Sequence, residues 1–213
     1  MKAVSLLSGG KDSFLSALIS MEQGCTVDMA ITVIPEEFSM MYHYPNAVMA
    51  RLVAGMLGSA WKPVREDELA ETVSRLASQG YDTLVSGAIA SEYQKTRLER
   101  MCTESGMRSY TPLWHKEQGK ILRELLLRGI GSIIVSVSAE GFTIDDLGRE
   151  IDESFIRELE ARNARYGINL AGEGGEYESF VHSFGGRRVI INTAHKVWGG
   201  SHGYYIIDDA RLS

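Results

Sequence analysis

Residues 3–7 form a short, mostly apolar run that ends in Ser-Gly-Gly. A run of this length bounded by glycine predicts a buried strand. Residues 12–23 then carry Phe14, Leu15, Leu18, Ile19 and Met21 at roughly helical spacing, with Gly24 as a stop signal. A second strand is expected at 27–34, ended by Pro35. Strand, glycine turn, helix and strand make a βαβ unit. The alternation continues with helices expected at 45–57, 66–79, 91–105, 121–128 and 154–166, followed by Gly58, Gly80, Gly106, Gly129 and Gly167. Pro45 suits the first turn of the earliest of these. Apolar strands are expected at 83–85 and 133–137, the latter as a central strand. This succession predicts an α/β fold built on a doubly wound, mostly parallel sheet. Beyond Gly167, segments 177–184, 188–197 and 204–207 look like strands separated by Gly185-Gly186 and Gly199-Gly200, with no helix between them. The expected division is an α/β domain over 1–167 and a small β-rich extension over 168–213.

The turn between the first strand and the first helix carries the chemistry. Ser8, Gly9, Gly10, Lys11, Asp12 and Ser13 stand where free helix N–H groups and the positive end of the helix dipole point outward. Two glycines let another group approach the backbone, Lys11 adds a full charge, and Ser8 and Ser13 add hydroxyl donors. The sum is a cradle for a polyoxyanion at the carboxyl end of a sheet strand. It is neither a Walker A loop, since Asp12 follows Lys11, nor the G-x-G-x-x-G dinucleotide pattern. The plainer reading is a capped helix start with Asp12 as N-cap.

Composition narrows the classes. The 213 residues are 44% apolar and 23% charged, ordinary for a globular chain that folds without disulfide or metal. A net charge of −6 argues against loose, charge-driven nucleic-acid binding. The two cysteines, Cys25 and Cys102, lie in no metal-binding pattern and read as free thiols of a reducing compartment. No apolar run reaches the length of a membrane span and no signal peptide is evident, so a cytoplasmic protein is expected.

The string SGGKDS after the first strand resembles the pyrophosphate loop of the N-type ATP pyrophosphatases, which adenylate a substrate and release pyrophosphate. Four further segments fit one branch of that group. They are Met41-Tyr42-His43-Tyr44-Pro45-Asn46, the stretch from Gly87 through Ser91-Glu92-Tyr93-Gln94 to Arg97, Pro112-Leu113-Trp114, and Gly172-Glu173-Gly174-Gly175-Glu176-Tyr177-Glu178-Ser179-Phe180-Val181. Together and in this order they resemble the diphthine–ammonia ligase family. Ala88 and Glu178 depart from it, standing where Asp and His are common. The resemblance implies a Rossmann-like fold of the adenine nucleotide alpha hydrolase type. It implies ATP and Mg²⁺ as cofactors, and elongation factor 2 and ammonium as partners. The implied reaction amidates the carboxylate of diphthine through an acyl-adenylate, with AMP and pyrophosphate released. Neither membrane nor direct nucleic-acid binding is implied, and a homodimer stays open.

Under that reading Ser8, Gly9, Gly10, Lys11, Asp12, Ser13 and Gly87 hold nucleotide. Lys11, Arg97, Glu173 and Glu176 are the catalytic candidates. His43, Asn46, Tyr93, Gln94, Arg97 and Glu176 are the substrate contacts, and Asp12 is the candidate Mg²⁺ ligand. Plainer readings stand beside these. Ser91 and Gln94 also make a capping box. Arg97 could pair with a surface acid, and the 172–178 acids could line a solvated turn. The other functions weighed are a second adenylating enzyme acting on tRNA or a small molecule, and a nucleotide sensor without catalysis. A thiolating enzyme would want a reactive cysteine pair, which Cys25 and Cys102 do not supply.

Overall fold

The computed structural model describes residues 1–34 and 46–213. Two compact units emerge, Met1–Trp114 and His115–Ser213.

In the first unit, strands β1 (Lys2–Leu6), β2 (Thr26–Ile34), β3 (Ala60–Arg65), β4 (Thr83–Val85) and β5 (Arg108–Tyr110) alternate with helices α1 (Lys11–Glu22), α2 (Ala50–Leu57), α3 (Leu69–Ser78) and α4 (Glu92–Glu104). A short 3-10 turn, Ala47–Met49, leads into α2. The strands form one sheet in the order β3-β2-β1-β4-β5, with every pairing parallel. Alternate residues of β1 and β4 serve opposite faces, as a two-residue period requires. Val4 and Leu84 pack with Val73 and Leu76 of α3 and with Leu98, Met101 and Cys102 of α4. Ala3 and Val85 pack with Cys25 and Val27 in a second cluster. Helix α3 shows why it forms: Leu69, Thr72, Val73 and Leu76 are its buried residues, one stripe at spacing i, i+3, i+4, i+7. The doubly wound parallel sheet expected for this region is therefore present. Its strand order reverses between β1 and β4, the position at which such sheets bind ligands.

The second unit contains α5 (Gln118–Leu127), β6 (Gly131–Val137), α6 (Glu153–Tyr166), β7 (Tyr177–Phe184), β8 (Arg187–Trp198) and β9 (Gly203–Leu212). β6, β7, β8 and β9 close into an antiparallel barrel.

Two expectations are corrected here. Strand 133–137 is not a central strand of the parallel sheet, because β6 pairs antiparallel with β7 and β9. Its apolar run reflects burial on both faces, a condition that a closed barrel meets as well as a covered parallel sheet. The division falls after Trp114 rather than at 167/168, since α5, β6 and α6 belong with the barrel strands.

Candidate active site

The phosphate-loop candidate sits where β1 ends at Leu6 and α1 begins at Lys11. Leu7 anchors it from behind. Its N–H donates to Ile31 O at 2.8 Å, and its carbonyl accepts from Thr32 Oγ1 at 2.5 Å. Thr32 Oγ1 in turn accepts from Trp61 Nε1 at 2.8 Å, so β2 and β3 together fix the chain just before the turn. Gly9 takes φ 90°, in the left-handed region open to glycine. Gly10 is extended (φ −81°, ψ 163°) and the helix starts behind it.

The two serines brace the turn against itself. Ser13 Oγ accepts from Ser8 N–H at 3.2 Å and donates to Gly10 O at 3.0 Å, while the two hydroxyls lie 3.1 Å apart. Ser8 Oγ also accepts from Gly10 N–H at 3.3 Å. The first helical hydrogen bond, Phe14 N–H to Gly10 O at 3.1 Å, leaves the N–H groups of Lys11, Asp12 and Ser13 ahead of it in the first turn. Lys11 is only 2% exposed, and its Nζ lies 2.8 Å from Asp12 Oδ2. A solvated surface lysine is thereby excluded. The N-cap reading of Asp12 is corrected too: the cap is Gly10, without a side-chain cap bond, and Asp12 sits in the first turn paired to Lys11.

Gly87, just past β4, explains its own identity. A Cβ there would lie 2.6 Å from Ser13 N and 2.8 Å from the Asp12 carbonyl carbon. Only glycine lets the exit of β4 close against the start of α1. The parallel pairing of β1 with β4 thus brings Gly87 to the phosphate turn, and Ala88 and Ile89 behind it are buried.

Farther along, Ser91 caps α4, its Oγ accepting the Gln94 N–H at 3.4 Å. Tyr93 is 75% exposed at the helix start. Arg97 Nη1 meets Glu66 Oε1 at 2.7 Å, and this hydrogen bond raises the guanidinium pKa above its ordinary value. Asn46 is buried and its carbonyl accepts the Met49 N–H. His43 lies outside the described residues. Among the described residues no cluster of three or more His, Cys, Asp and Glu could hold a metal ion. Asp12 is a single first-turn carboxylate of α1, paired with Lys11 at 2.8 Å. That suits Mg²⁺, which takes one or two carboxylates and completes its shell with phosphate oxygens and water. Both cysteines are buried, and burial pushes the Cys102 thiol up to about 11, which makes it a poor nucleophile.

The second unit carries the acidic turn ahead of β7. Glu173 and Glu176 are both half-buried there. Glu176 accepts from Asn169 N–H at 2.8 Å, from Asn169 Nδ2 at 2.7 Å and from Gly174 N–H at 2.9 Å. His182 and His195 pair with Glu150 and Asp208, each at 2.8 Å.

The Thr32–Trp61 support behind Leu7 was not foreseen. Its signal was faint: Thr32 is one of three polar residues of β2, with Thr26 and Asp28, and Trp61 reads as a packing residue.

Comparison with known proteins agrees with this layout. Residues 1–109 match the model of the diphthamide synthase N-terminal domain, and residues 117–212 match that of the diphthamide synthase C-terminal domain. A protein of Schizosaccharomyces pombe named diphthine–ammonia ligase is 30% identical over 207 residues, covering 85% of this chain and 34% of its own length. The chain therefore spans about a third of that relative. Proteins of the same name from Danio rerio and Rattus norvegicus are 28% and 26% identical, covering 85% and 100% of this chain and 82% and 91% of their own lengths. No helix among the described residues is long and apolar enough to cross a membrane. With one family model matched over the parallel-sheet unit and its companion over the barrel unit, the chain belongs to the diphthamide synthase family.

Proposed function

We propose that this chain spends ATP to turn the diphthine carboxylate of elongation factor 2 into the diphthamide amide, with ammonium as the nitrogen source. The observation that carries the ATP chemistry is the buried Lys11 at the helix start, in a turn braced by Ser8 and Ser13 and closed on by Gly87. A triphosphate laid on this turn meets the first-turn N–H groups, the helix dipole and the Lys11 ammonium together. These donors also stabilise the charge that gathers on departing pyrophosphate. Asp12 would hold Mg²⁺, which would supply neutralising charge to the phosphates.

A free carboxylate is a poor electrophile. Attack of its oxygen on the α-phosphorus expels pyrophosphate and leaves an acyl-adenylate; ammonia then adds to the carbonyl and AMP departs. One hard substitution becomes two easier ones. The acidic turn supplies negative charge for ammonium or for the trimethylammonium of diphthine, and a carboxylate to take the proton that ammonia sheds. Tyr93, Gln94, Arg97, Asn46 and His43 are the proposed contacts to substrate and nucleotide. For Arg97 this requires exchange of Glu66 for the incoming anion. A protein acting on a translation factor works in the cytoplasm. Family membership and the names of its relatives support this reading.

The test is transfer of ¹⁵N-ammonium to elongation factor 2 carrying diphthine, followed by mass spectrometry. ATP-dependent gain of one labelled nitrogen, with AMP formed in equal amount, is the expected result. ATP turnover without labelling of the factor would refute it.

A further inference from the structure

The acidic turn is wired by one of its own carboxylates. Glu176 Oε1 accepts from both the backbone N–H and the side-chain Nδ2 of Asn169, and Oε2 accepts the Gly174 N–H. The wiring extends outward. Asn169 Oδ1 accepts from Gln118 Nε2 at 3.2 Å, and Gln118 Oε1 accepts the Ala171 N–H at 2.8 Å. Ser138 Oγ donates to Gly175 O at 2.5 Å, and the Tyr177 hydroxyl to Leu170 O at 2.6 Å. A Cβ on Gly174 would lie 2.8 Å from Glu176 Oε1 and 2.9 Å from Asn169 Nδ2, so it would press on the same two side chains. A carboxylate offers about four acceptor sites, and three donors of the same turn converge on this one. Glu176 could turn to an incoming ligand only by leaving a backbone N–H without its acceptor.

We propose that Glu176 is a positioning residue that holds the acidic turn in shape, and is not the carboxylate the turn presents to the substrate. This rests on the amidation reading above. It removes the proton-accepting role within that reading from Glu176.

Three variants and one activity-independent probe decide it. Glu176→Gln keeps the size but places an amide nitrogen against one of the donors, and Asn169→Ala removes a donor from the other side of the same contact. Each should lower the rate of amide formation roughly 10–100-fold through misplacement of the turn, with KM for ATP unchanged. The double variant should be no slower than the slower single, since both break one unit. Multiplicative losses in the double variant would overturn the proposal. Hydrogen exchange at the Gly174 amide reads the wiring without any turnover. It should quicken about tenfold or more in Glu176→Gln, and equal exchange in the two proteins would overturn the positioning role. A wild type that forms no amide but shows this protection would sink the amidation reading and leave the wiring intact.

Discussion

Lys11 is a full charge on a side chain only 2% exposed, held 2.8 Å from Asp12 at the start of α1. Burial on that scale is costly unless the charge is paired, and it places the ammonium among N–H donors that all favour an anion. Lys11→Ala should cut turnover roughly 10²–10³-fold, the scale of losing one transition-state donor, as measured by pyrophosphate release. Near-normal release would remove Lys11 from the mechanism. Gly87→Ala is the complementary prediction. Its Cβ would sit 2.6 Å from a backbone nitrogen of α1, which cannot step aside as a flexible side chain could. The variant should lose about 1–3 kcal/mol of stability by overpacking and bind ATP more weakly, by denaturant unfolding and by calorimetry. At this scale the string 8–13 was readable because its residue types leave few other uses at a strand exit. The serines were read as ligand donors, yet their hydroxyls bond within the turn. The pairing of Arg97 with Glu66, 31 positions away, had no local signal that named its partner.

Single elements were legible where glycine closes a helix: Gly58 and Gly167 both stand in the left-handed conformation at the end of α2 and α6. β3 and β5 were missed, and the reason is their position. Both are edge strands of the sheet, and β5 is only three residues long. Pro63 within β3 argues against a strand by composition, but an edge tolerates it. β3 nonetheless matters, because its Trp61 donates to Thr32, which donates to the carbonyl of Leu7. Thr32→Val should leave a buried carbonyl unsatisfied and cost about 1–3 kcal/mol, read as a shifted denaturation midpoint with unchanged slope. In the second unit, Asp152 caps α6 by accepting the Phe155 N–H at 2.8 Å, and the Ser154 hydroxyl and that N–H hold its carboxyl below the ordinary 3.8. Glu158 on the same helix is held below 4.5 by the Arg149 guanidinium. Both pKa values are depressed on folding, so their stabilisation is full above the ordinary carboxylate values and fades as pH falls through the lowered ones. Asp152→Ala should therefore cost about 1 kcal/mol at neutral pH. The gap from wild type should shrink as the solution is acidified below pH 3.8, and a constant gap would refute the cap's ionic character.

On the scale of the whole molecule, the parallel sheet was legible from its βαβ rhythm, and the barrel was not. An apolar run such as β6 states that both faces are covered; it does not state whether its neighbours run with it or against it, since its partners lie forty or more residues on. The same limit moved the expected division from Trp114 to Gly167. The reversal of strand order between β1 and β4 is what brings the phosphate turn and Gly87 together, and so lets a local motif become a site. The central claim is that ATP is spent on forming an acyl-adenylate. Its most direct test supplies elongation factor 2 whose diphthine carboxylate is labelled with ¹⁸O, together with ATP and ammonium, and follows the label by mass spectrometry. One ¹⁸O atom should leave in AMP for each amide formed. Label in inorganic phosphate with ADP as the nucleotide product would contradict the account.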